Sequence, residues 1–168
     1  MQRIGFMLAL VMTCGVSMAE PPGDPKAVSN EDGKYVDANG DPTFNVEADG
    51  TVDWYTFSGF RRYHSDCHVC HGPAGMGSSY APALVDTLKT SNYTDFLEVV
   101  TNGRQKVGAA QNNVMPAFGV NKNVMCYIDD IYIYLRARAN GAGGTGRPPK
   151  KAAKPASFTE AETACMAN

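Results

Sequence analysis

Apolar positions recur at helical spacing in three parts of the chain. Between Thr51 and Asp66 an aromatic residue occurs at every third position, which places the aromatic side chains along one side of a helix. Thr51 or Asp53 is the expected capping residue. The aromatic residues of this first predicted helix are Trp54, Phe57, Phe60 and Tyr63.

A second and a third helix follow from the same kind of pattern. The second is expected to begin at Thr94 or Asp95 and to stop at Gly103. Its inward-facing residues are Phe96, Leu97 and Val100. The third has an apolar stripe at spacings of three and four and ends at Arg136 and Arg138, where cations suit the helix dipole. The stripe consists of Met125, Ile128, Ile131, Tyr132 and Leu135.

The remaining sequence predicts little regular structure. Residues 20–50 are rich in Pro, Gly, Asp and Asn, which is typical of an extended arm with turns, one of them at Asp32-Gly33. Residues 140–155 are rich in Gly, Pro and Lys, as in a flexible basic linker. Residues 159–162 have the pattern of a capping box, so a short helical turn is expected before Cys165. Because no strand pattern stands out, the sequence predicts an all-α chain.

The first 19 residues are typical of an export signal. Arg3 gives a positive start, residues 4–16 are mostly apolar, and residues 17–19 supply small side chains at the cleavage positions. The apolar run is short for a membrane span, which needs about 20 residues, so an uncleaved anchor is the weaker alternative. Lipid attachment at Cys14 is also less favoured, because the bulky Thr13 precedes it. We therefore expect a periplasmic protein.

Charged residues are unevenly distributed. Residues 20–53 contain nine acidic and two basic residues, whereas residues 54–168 contain eight and twelve. An acidic arm beside a mildly basic body suggests steering of a charged protein partner more than nucleic-acid binding, although simple solvation explains the charges equally well. Asp37, Asn39 and Asp41 alternate like the start of a calcium loop. Gly40 comes early and no closing Glu follows, so a calcium site is the less favoured interpretation.

The strongest chemical signal is the sequence Cys67-His68-Val69-Cys70-His71, which has the C-x-x-C-H spacing of covalent haem attachment. Two thiols three positions apart can add to the two vinyl groups of one porphyrin, and the next His can bind the iron. We therefore assign Cys67 and Cys70 as thioether anchors and His71 as the proximal ligand. A zinc site would need four ligands, and a redox dithiol usually follows a strand, so both alternatives fit less well.

The iron also needs a sixth ligand or has an open face. Met115 lies 44 residues after His71, far enough for the chain to reach the other side of the haem, and Pro116 stiffens its loop. Met115 is therefore the predicted second axial ligand, and a Met/His pair raises the reduction potential. The alternative is that Met115 only fills the core. An open iron would then make the protein a gas-binding or peroxidatic haem protein.

Three other residues are weaker candidates for the sixth ligand. His64 is the competitor that is not a methionine. Met76 follows the haem motif too closely, and Met125 belongs to the stripe of the third helix.

Two cysteines remain after export and haem attachment use the others. Cys126 and Cys165 are separated by 39 positions, and outside the cytosol they are expected to pair and to pin the tail against the third helix. By the loop-entropy estimate such a bond contributes about 4 kcal/mol. Free or metal-binding thiols are the alternative.

The run from Phe57 to Leu135 resembles the class I c-type cytochromes. The shared features are Gly59-Phe60 in the first helix, the haem motif followed by Gly, Met115-Pro116, and an aromatic residue near the end of the last helix. The resemblance implies a cytochrome c domain at residues 51–139, with three main helices around one covalent haem c. It also implies that the first and last helices cross at Gly59, Phe60, Tyr132 and Leu135.

A closer resemblance is to the four-cysteine cytochromes of methanol metabolism, which are similar in role to cytochrome c-L. It is carried by residues 53–64, by the Tyr-Ala-Pro-Ala-Leu sequence at 80–84, and by the four mature cysteines. It implies a monomeric electron carrier, not an enzyme, that is reduced by a PQQ-dependent methanol or alcohol dehydrogenase and oxidised by a downstream cytochrome or oxidase. A generic periplasmic cytochrome c with another partner is the alternative. Candidate docking residues are Arg61, Arg62, Arg104 and Lys106.

Overall fold

The computed structural model describes residues 27–107 and 112–167. The predicted export signal, Cys14 and the first residues of the arm lie outside this part of the chain. Within it the chain forms seven α-helices, one 3-10 helix (Pro73–Gly75) and five short strands. The helices are α1 (Trp54–Asp66), α2 (His68–His71), α3 (Leu84–Thr87), α4 (Tyr93–Asn102), α5 (Lys122–Met125), α6 (Ile128–Ala139) and α7 (Ala156–Ala167). The strands are β1 (Ser29–Glu31), β2 (Lys34–Val36), β3 (Pro42–Thr43), β4 (Arg104–Val107) and β5 (Asn112–Met115).

The strands correct the expectation of an all-α chain. Strands β1, β2 and β3 form an antiparallel sheet in chain order, and β4 and β5 form a hairpin. The turn between β1 and β2 is Asp32-Gly33, where both residues have positive φ, as in the tight hairpin turns that Asp-Gly favours. Strands of two to four residues are too short to produce the apolar alternation by which strands are recognised. The Asp32-Gly33 pair was therefore the sequence feature that indicated this hairpin.

The first predicted helix is confirmed, and Asp53 rather than Thr51 caps it. The Asp53 carboxylate accepts hydrogen bonds from the backbone and hydroxyl of Thr56, at 2.7 and 2.6 Å. It also accepts from the backbone of Asn45, 2.8 Å away. These three bonds attach the start of α1 to the end of the arm.

The second and third predicted helices begin at other residues than expected. The cap of helix α4 is Asn92, two or three residues before the predicted caps Thr94 and Asp95, because the side chain of Asn92 accepts the capping bond from the backbone of Asp95. It ends at Gly103, as predicted. Met125 lies in α5 and does not belong to α6, which is the third predicted helix, since the non-helical backbone of Tyr127 separates α5 from α6.

Helices α1 and α6 cross at Gly59. A Cβ atom there would lie 1.8 Å from the backbone oxygen of Asp130, so only glycine allows this approach. The ring that packs on Phe60 is Tyr134, edge to face at 5.7 Å, rather than the expected Tyr132. The ring of Tyr132 instead packs against Tyr93 and Phe96.

The core forms where α1, α4 and α6 meet, and a smaller cluster lies under α7. The main cluster consists of Tyr63, Leu88, Phe96, Val100, Val124, Ile128, Ile131, Tyr132, Tyr134 and Leu135. The smaller cluster consists of Tyr55, Tyr127, Ile133 and Phe158. Among the described residues, no helix combines the length and apolar character that a membrane-spanning segment requires.

The arm is attached to α6 by a buried ion pair. The guanidinium of Arg136 lies 2.7 Å from one carboxylate oxygen of Asp37. The other oxygen of Asp37 accepts from the backbone of Asn39 and Asp41. The carboxylate proposed to begin a calcium loop is thus occupied, and the described residues contain no group of three or more potential metal ligands.

The C-terminal segment packs back on the start of α1. Val52 pairs with Lys151 in a parallel bridge, and the Lys151 ammonium lies 5.1 Å from the centre of the Trp54 ring. The turn expected before Cys165 is a helix of 12 residues, α7. The predicted Cys126–Cys165 disulfide is confirmed, with the Cα atoms 5.7 Å apart, so these cysteines are neither free nor metal ligands.

Candidate haem site

The haem motif forms one helical turn at the end of α1. Cys67 directly follows α1 as its C-terminal capping residue, and its carbonyl accepts from the backbone of Cys70 and His71, at 3.2 and 3.0 Å. This turn places the two cysteines, three positions apart, on the same side of the helix. Cys67 packs against the main core and Cys70 is exposed, so one thiol faces the interior and the other the surface.

His71 is buried and oriented for metal binding through one nitrogen. Its Nδ1 lies 3.0 Å from the backbone oxygen of Pro82. Because a carbonyl oxygen only accepts hydrogen bonds, Nδ1 must carry the proton, and Nε2 keeps a free lone pair. A backbone acceptor of this kind fixes the tautomer of a metal-binding histidine. The arrangement fits an iron ligand.

The segment after His71 is held by a contact that sequence reasoning missed. Tyr63, fully buried in α1, donates its hydroxyl to the backbone oxygen of Gly72 at 2.5 Å and accepts from the backbone of Gly75 at 3.0 Å. Gly72 has a φ of 72°, and a Cβ there would lie 2.2 Å from the Gly77 oxygen. Neither contact has a signature in residue spacing.

Cys67 does not have the environment of a redox-active thiol. Burial, together with the nearby Asp66 and Cys70, raises the pKa of the Cys67 thiol to about 12. Reactive dithiols need a lowered pKa because the thiolate is the nucleophile. The donor set also lacks the four ligands of structural zinc, since no third His, Cys, Asp or Glu joins two others anywhere in the described part of the chain.

Met115 is the last residue of β5 and packs against the core cluster that Cys67 also contacts. The backbone of Phe118 donates to the Val100 oxygen at 3.0 Å, which ties the loop after Met115 to the end of α4. At Gly103, where φ is 72°, a Cβ would lie 2.6 Å from the Met115 oxygen. The end of α4 therefore determines where the Met115 backbone lies.

The other candidate ligands lie elsewhere in the fold. Met76 is 57% exposed, and Met125 lies in α5. The Nδ1 atom of His64 lies 2.8 Å from the Phe60 oxygen one turn back in the same helix, and the ring packs on Phe60.

The charged residues considered for docking have different environments. The Arg62 guanidinium lies 3.4 Å from the centre of the Tyr127 ring and 3.5 Å from Glu162, so it is engaged within the protein. Arg61 is exposed on α1, and Arg104 and Lys106 are exposed on β4.

Comparison with known proteins gives consistent results. Residues 57–135 match the family described as cytochrome c oxidase, cbb3-type, subunit III. Cytochrome c-553I of Paracoccus denitrificans is 54% identical over 136 residues, 81% of this chain and 60% of that protein. Cytochrome c-555 of Methylococcus capsulatus (strain ATCC 33009 / NCIMB 11132 / Bath) is 39% identical over 100 residues, 59% of this chain and 75% of that protein. The chain therefore spans less than two thirds of cytochrome c-553I.

A solved structure is also similar over most of its length. The crystal structure of the c-type cytochrome XoxG from Methylobacterium extorquens AM1 is 56% identical, with a TM-score of 0.78. The match covers 83% of this chain and 85% of that one.

The geometry of the motif and these relatives lead to the same conclusion. A half-buried and an exposed cysteine precede a histidine whose free nitrogen suits iron. The cofactor predicted from the sequence, one covalently bound haem c, is confirmed by the family. The chain belongs to the c-type cytochromes and has their class I fold.

Proposed function

We propose that this protein is a periplasmic one-electron carrier, with haem bonded to Cys67 and Cys70 and with His71 and Met115 as the two axial ligands. The observation that carries the proposal is the hydrogen bond from His71 Nδ1 to the Pro82 oxygen, which leaves Nε2 free beside two unpaired cysteines. Haem supplies reversible one-electron chemistry. The chain itself positions the ligands and excludes water.

The three long helices of the core are proposed to surround the haem. Helix α1 leads into the cysteines, α4 anchors the Met115 loop, and α6 packs across α1 behind both. Each ligand is thus attached to a different part of one packed core. A rigid support of this kind keeps the ligand geometry similar in both oxidation states.

Met115 distinguishes a carrier from a haem enzyme. A thioether in the sixth position closes the iron to small molecules, and a Met/His pair gives a high potential. The half-buried position of Met115 and the fixed backbone around it support this role.

The proposed electron donor is a PQQ-dependent methanol or alcohol dehydrogenase, and the proposed acceptor is a cytochrome or oxidase of the respiratory chain. The resemblance to the cytochromes of methanol metabolism supports this assignment, as does the similarity to the c-type cytochrome XoxG. The predicted export signal is consistent with a donor in the periplasm.

Two measurements test the haem ligands. Mass spectrometry of the protein, produced in a host that matures c-type cytochromes, must show the mass of one covalent haem. The oxidised protein must show a sulfur-to-iron charge-transfer band that Met115→Ala abolishes and Met125→Ala retains. A colourless product, or rapid carbon monoxide binding by the reduced wild type, contradicts the proposal.

The donor is tested separately. A purified PQQ-dependent methanol dehydrogenase with methanol should reduce this cytochrome much faster than it reduces an unrelated cytochrome c of similar potential. Equal rates would remove the methanol assignment and leave the electron carrier intact.

A further inference from the structure

The β4–β5 hairpin places two basic residues on the same face as Met115. In its antiparallel register Arg104 lies opposite Met115, and Lys106 lies opposite Asn113. Directly opposite residues share one face of a hairpin, and so do residues two positions apart in one strand. The side chains of Arg104, Lys106 and Met115 therefore leave the hairpin on the same side.

This side of the hairpin is the one that faces the core. Met115 is half-buried and packs against the main core cluster, as Cys67 does, whereas the next residue in the strand, Val114, is 62% exposed. The Cα atoms of opposite residues in such a pair are about 4.5–5.5 Å apart. The guanidinium of Arg104 and the thioether proposed to bind iron therefore start from adjacent positions.

The two basic residues of the hairpin have no carboxylate partner within the described part of the chain. Residues 67–121, which we call the ligand-bearing stretch, contain three Lys or Arg residues, namely Lys89, Arg104 and Lys106. Lys89 is paired with Asp86 at 2.8 Å, whereas neither of the others makes an ion pair with a described residue. Residues 108–111, which complete the hairpin in sequence, include no acidic residue.

The cofactor proposed for this site has carboxylates of its own. Haem c has two propionate groups, which are anionic at neutral pH, and a carboxylate held against a protein core is costly unless it is paired. A guanidinium binds a carboxylate through two parallel hydrogen bonds, while an ammonium acts as a point charge. Within the ligand-bearing stretch, the hairpin has the two bases that are not already paired with an acid of the chain.

We propose that Arg104 binds a propionate of the haem, with Lys106 as a second and weaker contact, and that this pairing raises the reduction potential. The inference rests on the proposed role of Met115 as an iron ligand. A cation beside the haem favours the reduced state, because that state has one positive charge less than the oxidised state. One hairpin thus holds the iron through β5 and the edge of the porphyrin through β4.

The test measures the midpoint potential and the resonance Raman spectrum of the holo-cytochrome, in which the propionate bending band reports hydrogen bonding to that group. Arg104→Gln should shift this band and lower the equilibrium constant for reduction about tenfold, which is about 59 mV for a one-electron couple. A unit charge on the order of 10 Å away has roughly this effect at the effective dielectric constant of a protein. Lys106→Gln should have a smaller effect of the same sign.

Arg61→Gln is the matched control, because it removes the same charge from an exposed position on α1. It should leave the propionate band in place and change the equilibrium constant less than about twofold, since exposed charges are screened. Arg104→Lys separates charge from hydrogen-bond geometry. Its potential should stay close to that of the wild type, but its propionate band should shift, because an ammonium cannot make the paired bonds.

An unchanged propionate band in both Arg104 variants would overturn the proposal, and so would equal potentials in Arg104→Gln and Arg61→Gln. Arg104 and Lys106 would then be solvated charges or charges that guide docking. If Arg104→Gln loses the sulfur-to-iron band, the result is read from Arg104→Lys, which keeps the aliphatic stem of the side chain.

The same spectra separate this inference from the proposed ligand. A wild type without the sulfur-to-iron band contradicts iron binding by Met115. A wild type that has this band, together with a propionate band that does not respond to Arg104, contradicts the pairing alone and leaves the electron carrier intact.

Discussion

The hydroxyl of Tyr63 should contribute several kcal/mol to the free energy of unfolding, although it is one polar group in a core of apolar rings. Tyr63→Phe removes the donor to the Gly72 oxygen and the acceptor for the Gly75 backbone, at 2.5 and 3.0 Å. Tyr63 is 0% exposed, so water cannot replace either bond. Each buried polar group left without a partner costs about 1–3 kcal/mol. We therefore expect the free energy of unfolding to fall by about 2–4 kcal/mol.

Tyr134 provides a matched control in the same core. Its ring centre lies 5.5 Å from that of Tyr63, but its hydroxyl is buried without a hydrogen-bond partner among the described residues. Tyr134→Phe removes an unsatisfied group, so stability should change by less than about 0.5 kcal/mol or increase. The assay is chemical denaturation of both holo-variants, followed by absorbance and fluorescence.

Amide hydrogen exchange makes the test local. In Tyr63→Phe the backbone amide of Gly75 loses its acceptor and should exchange faster, whereas the amide of Gly77, bonded to the His71 oxygen, should be little affected. Equal stability losses in Tyr63→Phe and Tyr134→Phe would refute the reasoning, because they would show that the paired hydroxyl matters no more than the unpaired one.

Three further predictions concern the ligand loop, the tail and a buried acid. Gly103→Ala should weaken or abolish the sulfur-to-iron band, since the new Cβ would lie 2.6 Å from the Met115 oxygen. An unchanged spectrum would show that iron binding by Met115 does not depend on this backbone contact. Replacing both Cys126 and Cys165 by Ser should cost about 4 kcal/mol of unfolding free energy by loop entropy, and limited proteolysis should then cut first in α7; a thermal midpoint equal to wild type would contradict this. Burial raises the pKa of Asp130 to about 7, so its contribution to stability is present below its ordinary pKa of 3.8 and is lost as the pH rises through about 7. Asp130→Asn should flatten the decline in unfolding free energy between about pH 4 and 7. Denaturation curves at three pH values measure this decline, and an equal decline in wild type and variant would contradict the prediction.

The long helices could be predicted because their pattern is redundant. Helix α1 repeats an aromatic residue over three turns, so the periodicity survives any single ambiguous position. The start of α4 had no such redundancy, because Asn92, Thr94 and Asp95 are all plausible caps within four positions. The choice depends on which side chain reaches a free backbone amide, and only the structure shows that Asn92 does.

The haem site also has a part that the sequence predicts and a part that it does not. The spacing of Cys67, Cys70 and His71 is local and has few chemical interpretations, so the haem could be predicted from five residues. The groups that orient His71 are distant in sequence: the Pro82 oxygen lies 11 residues away, and the Tyr63 hydroxyl reaches past the motif to Gly72. Contacts between a side chain and a remote backbone atom depend on the folded path of the chain, which spacing does not encode.

The acidic arm suggested electrostatic steering, but the structure gives three of its carboxylates other roles. Asp37 is paired with Arg136 in the interior, Asp53 caps α1, and Asp49 meets Lys150 of the C-terminal segment at 3.0 Å. A carboxylate already paired with a base of its own chain contributes little field at a distance, since the two charges largely cancel. Part of the acidic charge of the arm is therefore neutralised by ion pairs with the body, at Asp37 and Asp49.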